Sequence, residues 1–122
     1  MNTKTLILSF GFLLFTFASF SQQVSQKAMA AYFKAKEYGS RTQWEEGITE
    51  LQKAVKIEPN YTQAKELLGE YYYALKKYDD AVTILENAAS ANDFSGRATF
   101  LLSEICVKTN NGEKAKFYAA KS

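Results

Sequence analysis

Between Ala64 and Leu75 the apolar side chains Ala64, Leu67, Leu68, Tyr71, Tyr72 and Leu75 recur at intervals of three and four, which wind them onto one face of a helix. A second run with the same spacing, Ala81, Val82, Leu85, Ala88 and Ala89, follows after Lys76-Lys77-Tyr78-Asp79. A connection that short leaves room only for an antiparallel helical hairpin. Carried along the chain, the pattern predicts six helices, at about 24–39, 44–57, 61–75, 78–91, 95–109 and 112–121. Pro59 ends the second of them, because it cannot continue a helix and biases Glu58 away from helical angles. Asn110-Asn111-Gly112 supplies residues that tolerate the left-handed turn before the last.

A period of 34 residues organises these helices. Trp44 and Tyr78, Ile48 and Val82, Leu51 and Leu85, and Ala54 and Ala88 are each one period apart. Small residues recur at Ala35, Gly69 and Ser103 and again at Gly47, Ala81 and Ala115, and the series Tyr38, Tyr72, Cys106 keeps the step. Small side chains are needed where two helices cross, since a large one would hold the axes beyond the 8–10 Å of close packing.

These positions resemble the tetratricopeptide repeat, whose signature runs from an aromatic through Leu-Gly and Tyr to Ala, a large apolar residue, Ala and Pro. The middle copy carries Leu68-Gly69, Tyr72, Tyr78, Ala81, Leu85 and Ala88, with Asp93 at the usual Pro. The first copy carries Ala35, Tyr38, Trp44, Gly47, Leu51, Ala54 and Pro59, with Lys34 at the usual Leu, which weakens its first helix; the third carries Leu102-Ser103, Cys106 and Ala115. The resemblance implies an all-α fold, helical hairpins stacked as a right-handed solenoid of three repeats at about 28–61, 62–95 and 96–122. It also implies a concave wall lined by the first helix of each pair, where a protein or peptide partner binds.

Projecting those first helices puts Met29, Tyr32 and Lys36, then Gln63, Glu66, Glu70 and Tyr73, then Arg97, Phe100, Glu104 and Lys108 toward the groove. Tyr32, Lys36, Glu66, Glu70, Tyr73, Arg97, Phe100 and Glu104 are the expected partner contacts, since rigid rings supply contact area and charges set register. Members of the family that bind the C-terminal carboxylate of heat-shock chaperones use Lys, Asn and Arg at five places. Here those places hold Tyr32, Lys36, Leu67, Arg97 and Leu101, of which only Arg97 fits. Glu66 and Glu70, one turn apart, would repel a carboxylate and favour a basic or amide-rich ligand.

Composition narrows the chemistry. The 122 residues hold no His and one Cys, which removes imidazole acid/base catalysis, His-activated nucleophiles and imidazole or multi-thiolate metal sites. The six Gly are dispersed, so no loop cradles a phosphate, and two carboxylates one turn apart on a solvated helix lack the distinct environments of a hydrolase pair. Fifteen basic against 13 acidic side chains give no clustered surface for nucleic acid. The expectation is a protein without catalytic, cofactor or metal residues and without a small-molecule substrate.

The N-terminal stretch differs. Lys4 precedes a run from Leu6 to Phe20 broken only by Ser9, Gly11, Thr16 and Ser19 and holding five of the nine Phe. It is too short to span a bilayer and ends at the small-x-small site Ser19-Phe20-Ser21. These features predict a signal peptide at 1–21, cleaved after Ser21, export to the periplasm or beyond, and a mature domain at 22–122; the alternative is an uncleaved N-terminal anchor. Removing Lys4 and no acid leaves 14 basic against 13 acidic residues. Cys106 is expected to be buried and inert beside Leu101, Leu102 and Ile105. The last helix is expected either to cap the stack through Glu113, Lys114, Lys116 and Lys121 or to dock Phe117 and Tyr118 on another chain. That second arrangement would make the protein a structural subunit of an envelope assembly or a homodimer.

Overall fold

The computed structural model describes residues 24–91, 94 and 96–122; the apolar N-terminal run with its cleavage site and Asp93 lie outside them. Six helices follow in order: α1 Gln26–Ser40, α2 Trp44–Ile57, α3 Thr62–Ala74, α4 Tyr78–Ala91, α5 Arg97–Lys108 and α6 Gly112–Ala119. They pack as three hairpins, α1 with α2, α3 with α4 and α5 with α6; α2 also packs on α3, α4 on α5, and α3 on α5. Among the described residues there is no strand, and no helix is long and apolar enough to cross a membrane.

Each hairpin turns in the same way. Thr42, Lys76 and Asn110 stand one period apart and all adopt left-handed backbone, with φ of 56°, 58° and 59°. At each, the next N–H reaches back to the carbonyl five residues earlier: Gln43 to Tyr38 (3.0 Å), Lys77 to Tyr72 (2.9 Å) and Asn111 to Cys106 (2.7 Å). The left-handed residues donate to Gly39, Tyr73 and Val107. This pair of bonds is the Schellman arrangement, which satisfies carbonyls that the end of a helix would otherwise leave open. Asn110 was legible as such a turn residue. Thr42 and Lys76 were not, because neither side chain favours the conformation. Between the first two hairpins Glu58 is extended (φ −126°, ψ 89°), as the following Pro requires. Its carboxylate accepts from the N–H of Ser25 at 3.1 Å.

The periodic small residues admit specific neighbours. A Cβ on Gly47 would come to 2.5 Å from the ring of Tyr71, and one on Gly69 would overlap the side chain of Leu85. Tyr71 is buried across the first two hairpins, its hydroxyl donating to the Ala35 carbonyl at 2.9 Å and its ring meeting Trp44 edge-on at 5.1 Å. The core divides into two clusters. One joins the first hairpin to α3 around Leu51, Leu68 and Tyr71; the other joins α4 to the third hairpin around Leu85, Leu102 and Ile105, and Tyr72 and Ile84 pack against both. Cys106 is a free, buried thiol in the second cluster, and burial raises its pKa.

The stack has a polar beginning. Tyr61, Ala64, Leu68 and Tyr71 of the second repeat are buried against the first, and Ala98, Leu102 and Ile105 hold corresponding places in the third. In the first repeat those places are Lys27, Ala30, Lys34 and Glu37, all exposed. Lys34, where Leu is usual, lies 3.4 Å from Glu50, which also pairs with Lys53 at 3.0 Å; the place of Glu50 is taken by Ile84 and Tyr118 in the later repeats. An apolar pair that would face a neighbouring hairpin has become an ion pair in which Lys34 is exposed and Glu50 buried. Lys34 therefore marks the solvated end of the stack, and the weakening of α1 expected from it is offset by Glu50.

At the other end, α6 docks through Tyr118. That side chain is buried, and its hydroxyl donates to the Glu86 carboxylate of α4; burial, and then that bond, raise its pKa. Tyr118 is thus spent inside the fold, and the expectation that it docks on another chain is corrected. Phe117 stays about half exposed, edge-on to Phe94 at 6.0 Å.

Candidate functional site

The first helices α1, α3 and α5 bring Tyr32, Lys36, Gln63, Glu66, Leu67, Glu70 and Arg97 around one open depression of about 350 Å³. Five of the eight expected contacts, Tyr32, Lys36, Glu66, Glu70 and Arg97, therefore share it. The equal period explains why. Helices 34 residues apart carry equivalent positions, so residues at places 32, 66 and 100, or 36, 70 and 104, form rows across the stack.

Tyr32 forms one wall. Its ring lies 5.3 Å from Tyr61 and 5.6 Å from Phe33, and the Lys36 ammonium sits 5.8 Å above it, within cation–π range. Burial, followed by the Glu70 and Glu66 carboxylates, raises its hydroxyl pKa. The opposite wall is Arg97, at the start of α5, whose guanidinium donates through Nε to Glu70. The first turn of α5 leaves the Ala98 N–H without a helical partner, and its pull on the Glu66 carboxylate lowers that group's pKa. Burial, then the neighbouring Glu70 charge, outweigh that pull and raise the Glu66 pKa.

These pairings revise the charge argument. Glu66 and Glu70 do not present two free carboxylates to a basic ligand, because Glu70 is bound to Arg97. With Lys36 and Arg97 against Glu66 and Glu70, the depression is balanced. The one place that fits the carboxylate-binding pattern, Arg97, is engaged by Glu70, and Leu101 is buried.

The remaining three expected residues lie apart. Tyr73 is partly buried against the second cluster, its ring 6.0 Å from Tyr78 and covered by the Lys108 ammonium at 5.9 Å. Phe100 is 54% exposed. Glu104 borders a second depression with Ser103, Val107 and Lys108. Phe33, 60% exposed beside Tyr32, was not expected; its equivalents Leu67 and Leu101 suit an interior helix face, so the period gave no sign of it.

A family model described as anaphase-promoting complex, cyclosome, subunit 3 matches residues 13–88, and one described as tetratricopeptide repeat matches residues 68–121. No curated protein matches the chain. Among solved structures, the first TPR of Spaghetti (RPAP3) bound to HSP90 peptide SRMEEVD superposes with a TM-score of 0.76 at 22% identity, over 80% of this chain and 77% of that one. A crystal structure of MamA gives 0.75 at 22% identity over 78% of this chain and 56% of that one. A second, MamA AMB-1, gives 0.72 at 16% identity over 79% and 52%. This chain thus matches about half the length of each MamA chain. At these identities the likeness is one of fold.

Proposed function

The chain belongs to the tetratricopeptide-repeat family, and from that premise we propose that it is a non-catalytic module that holds a segment or helix of a partner protein in its concave groove within the cell envelope. The observation that carries this reading is the depression between Tyr32 and Arg97. Its floor is set by packed helices, Arg97 is already paired with Glu70, and Phe33, largely exposed, stands beside Tyr32 on its wall. Such a surface pays its ordering cost on folding, so a partner meets a preformed site. The balanced charge favours neither acidic nor basic segments, so selection falls to the apolar side chains that meet Tyr32, Phe33 and Phe100. A resemblance to a peptide-bound neighbour supports the same reading.

The envelope location rests on the apolar run and Ser19-Phe20-Ser21. Intact-mass measurement of protein from the envelope fraction should give a chain beginning at Gln22; a chain retaining Met1 in the cytoplasm would refute export. For the groove, crosslinked pull-down from the native envelope should recover a partner that is lost with Tyr32→Ala plus Phe100→Ala while helicity is retained. Recovery unchanged by the double substitution would refute the groove. Tyr73→Ala is the weaker probe, since Tyr73 also packs against the core.

A further inference from the structure

Every hairpin of the stack presents a socket on its far side, and the first two are filled. Ala35, Gly39, Trp44 and Gly47 surround Tyr71. One period on, the places are Gly69, Tyr73, Tyr78 and Ala81, and the residue at the place of Tyr71 is the buried Ile105. The third set is Ser103, Val107, Gly112 and Ala115. Among the described residues nothing covers its α5 side: Val107 is 70% exposed and borders a depression of about 330 Å³ with Ser103, Glu104 and Lys108.

The second junction shows what chemistry completes such a socket. Glu70 binds Arg97 in the first turn of the incoming helix, and Ala98, Leu102 and Ile105 of that helix are buried. Glu104 stands one period after Glu70 and has no ion-pair partner among the described residues. A second copy of this chain does not complete it. The outward stripe of α1 offers Met29, Ala30, Lys34 and Glu37 at the places of Arg97, Ala98, Leu102 and Ile105, so stacking would bury charges and leave Glu104 without a base.

We propose that this third socket docks an amphipathic helix of a partner protein, with Arg or Lys in its first turn and then Ala, Leu and Ile at the spacing of Arg97, Ala98, Leu102 and Ile105. The helix would extend the stack as a seventh element, distinct from a segment lying in the groove. Its base pairs with Glu104, and its apolar stripe covers Val107 and Ser103.

The probe is a fluorescent synthetic peptide spanning Gly96–Thr109 with Cys106→Ser, titrated by anisotropy into the purified full chain. Binding should saturate, and Val107→Glu or Ser103→Arg in the protein should weaken it about tenfold or more without changing its circular dichroism. A peptide carrying Arg97→Glu should bind poorly to the wild-type chain and recover on Glu104→Arg. Failure to saturate by about 1 mM, indifference to both protein substitutions, or no recovery in the charge swap would each overturn the proposal. A dimer by light scattering that Val107→Glu dissolves would also overturn it, by assigning the face to a second copy.

Discussion

Gly47→Ala should change sign with the residue at position 71. In the wild-type fold the added methyl falls 2.5 Å from the Tyr71 ring. The ring cannot slide away, because its hydroxyl is bound to the Ala35 carbonyl and its edge lies against Trp44. Overpacking of this kind costs about 1–3 kcal/mol, against which replacing Gly by Ala in a helix returns up to about 1 kcal/mol. The net is a loss of about 1 kcal/mol. The next junction has solved the same problem differently, with Ala81 in place of Gly47 and Ile105 in place of Tyr71. Tyr71→Ile should itself cost about 1 kcal/mol for the lost hydrogen bond, plus the lost ring contacts, within the roughly 5–15 kcal/mol that holds a small domain. In that background Gly47→Ala meets no ring and should stabilise by about 0.5–1 kcal/mol. Urea unfolding followed by far-UV circular dichroism measures all four corners of the cycle, with an expected coupling of about 1–3 kcal/mol. An effect of Gly47→Ala with the same sign and size in both backgrounds would refute the packing argument.

Thr42→Gly should stabilise the fold by about 0.5 kcal/mol, read as a higher urea midpoint, since relief of left-handed strain outweighs the added chain freedom; a lower midpoint would count against strain at that turn. Glu66 and Glu50 should show opposite pH dependence. Burial and Glu70 raise the Glu66 pKa, so its stabilising contribution is full below the unfolded value of about 4.3 and fades as pH rises through the folded one. Glu66→Gln should therefore stabilise more at neutral pH than at low pH. Lys53, by hydrogen bonding, lowers the Glu50 pKa, so its contribution is present above the unfolded value and lost as pH falls through the folded one. Glu50→Gln should cost stability at neutral pH and little in acid, and parallel pH profiles for the two variants would refute both assignments. Tyr118→Phe should cost about 1.5–3 kcal/mol through the bond to Glu86 and speed amide exchange in α6 selectively; uniform exchange would refute that anchor.

The fold was legible because a 34-residue period repeats both helical spacing and the sites of close approach. Gly47 and Gly69 could be read as crossing points before their partners were known, since only a small residue recurs at such places. What stayed hidden depended on the partner across the junction. That Gly47 yields to Tyr71 rather than to its own hairpin mate is a contact across 24 residues with no local signal. Glu66 and Glu70 looked like a free acidic pair because Arg97, which binds Glu70, belongs to the next repeat. Tyr118 looked available for docking because Glu86, which receives its hydroxyl, lies on α4 in the preceding hairpin.

Comparing equivalent places, rather than reading one helix at a time, gives the stack a direction. Lys34 and Glu50 at the first junction face become Leu68 and Ile84, then Leu102 and Tyr118. The charged version leaves Lys34 exposed beside a buried Glu50, whereas the apolar versions pack against another hairpin. The far side shows the reverse progression, with Ala35 and Gly39 roofed by Tyr71 and Ser103 and Val107 left open. A stack with Lys34 and Glu37 exposed on its first face cannot add copies of itself without burying them. That arrangement opposes head-to-tail filaments while leaving the far face, with Glu104 and Val107, able to receive a helix that supplies its own base.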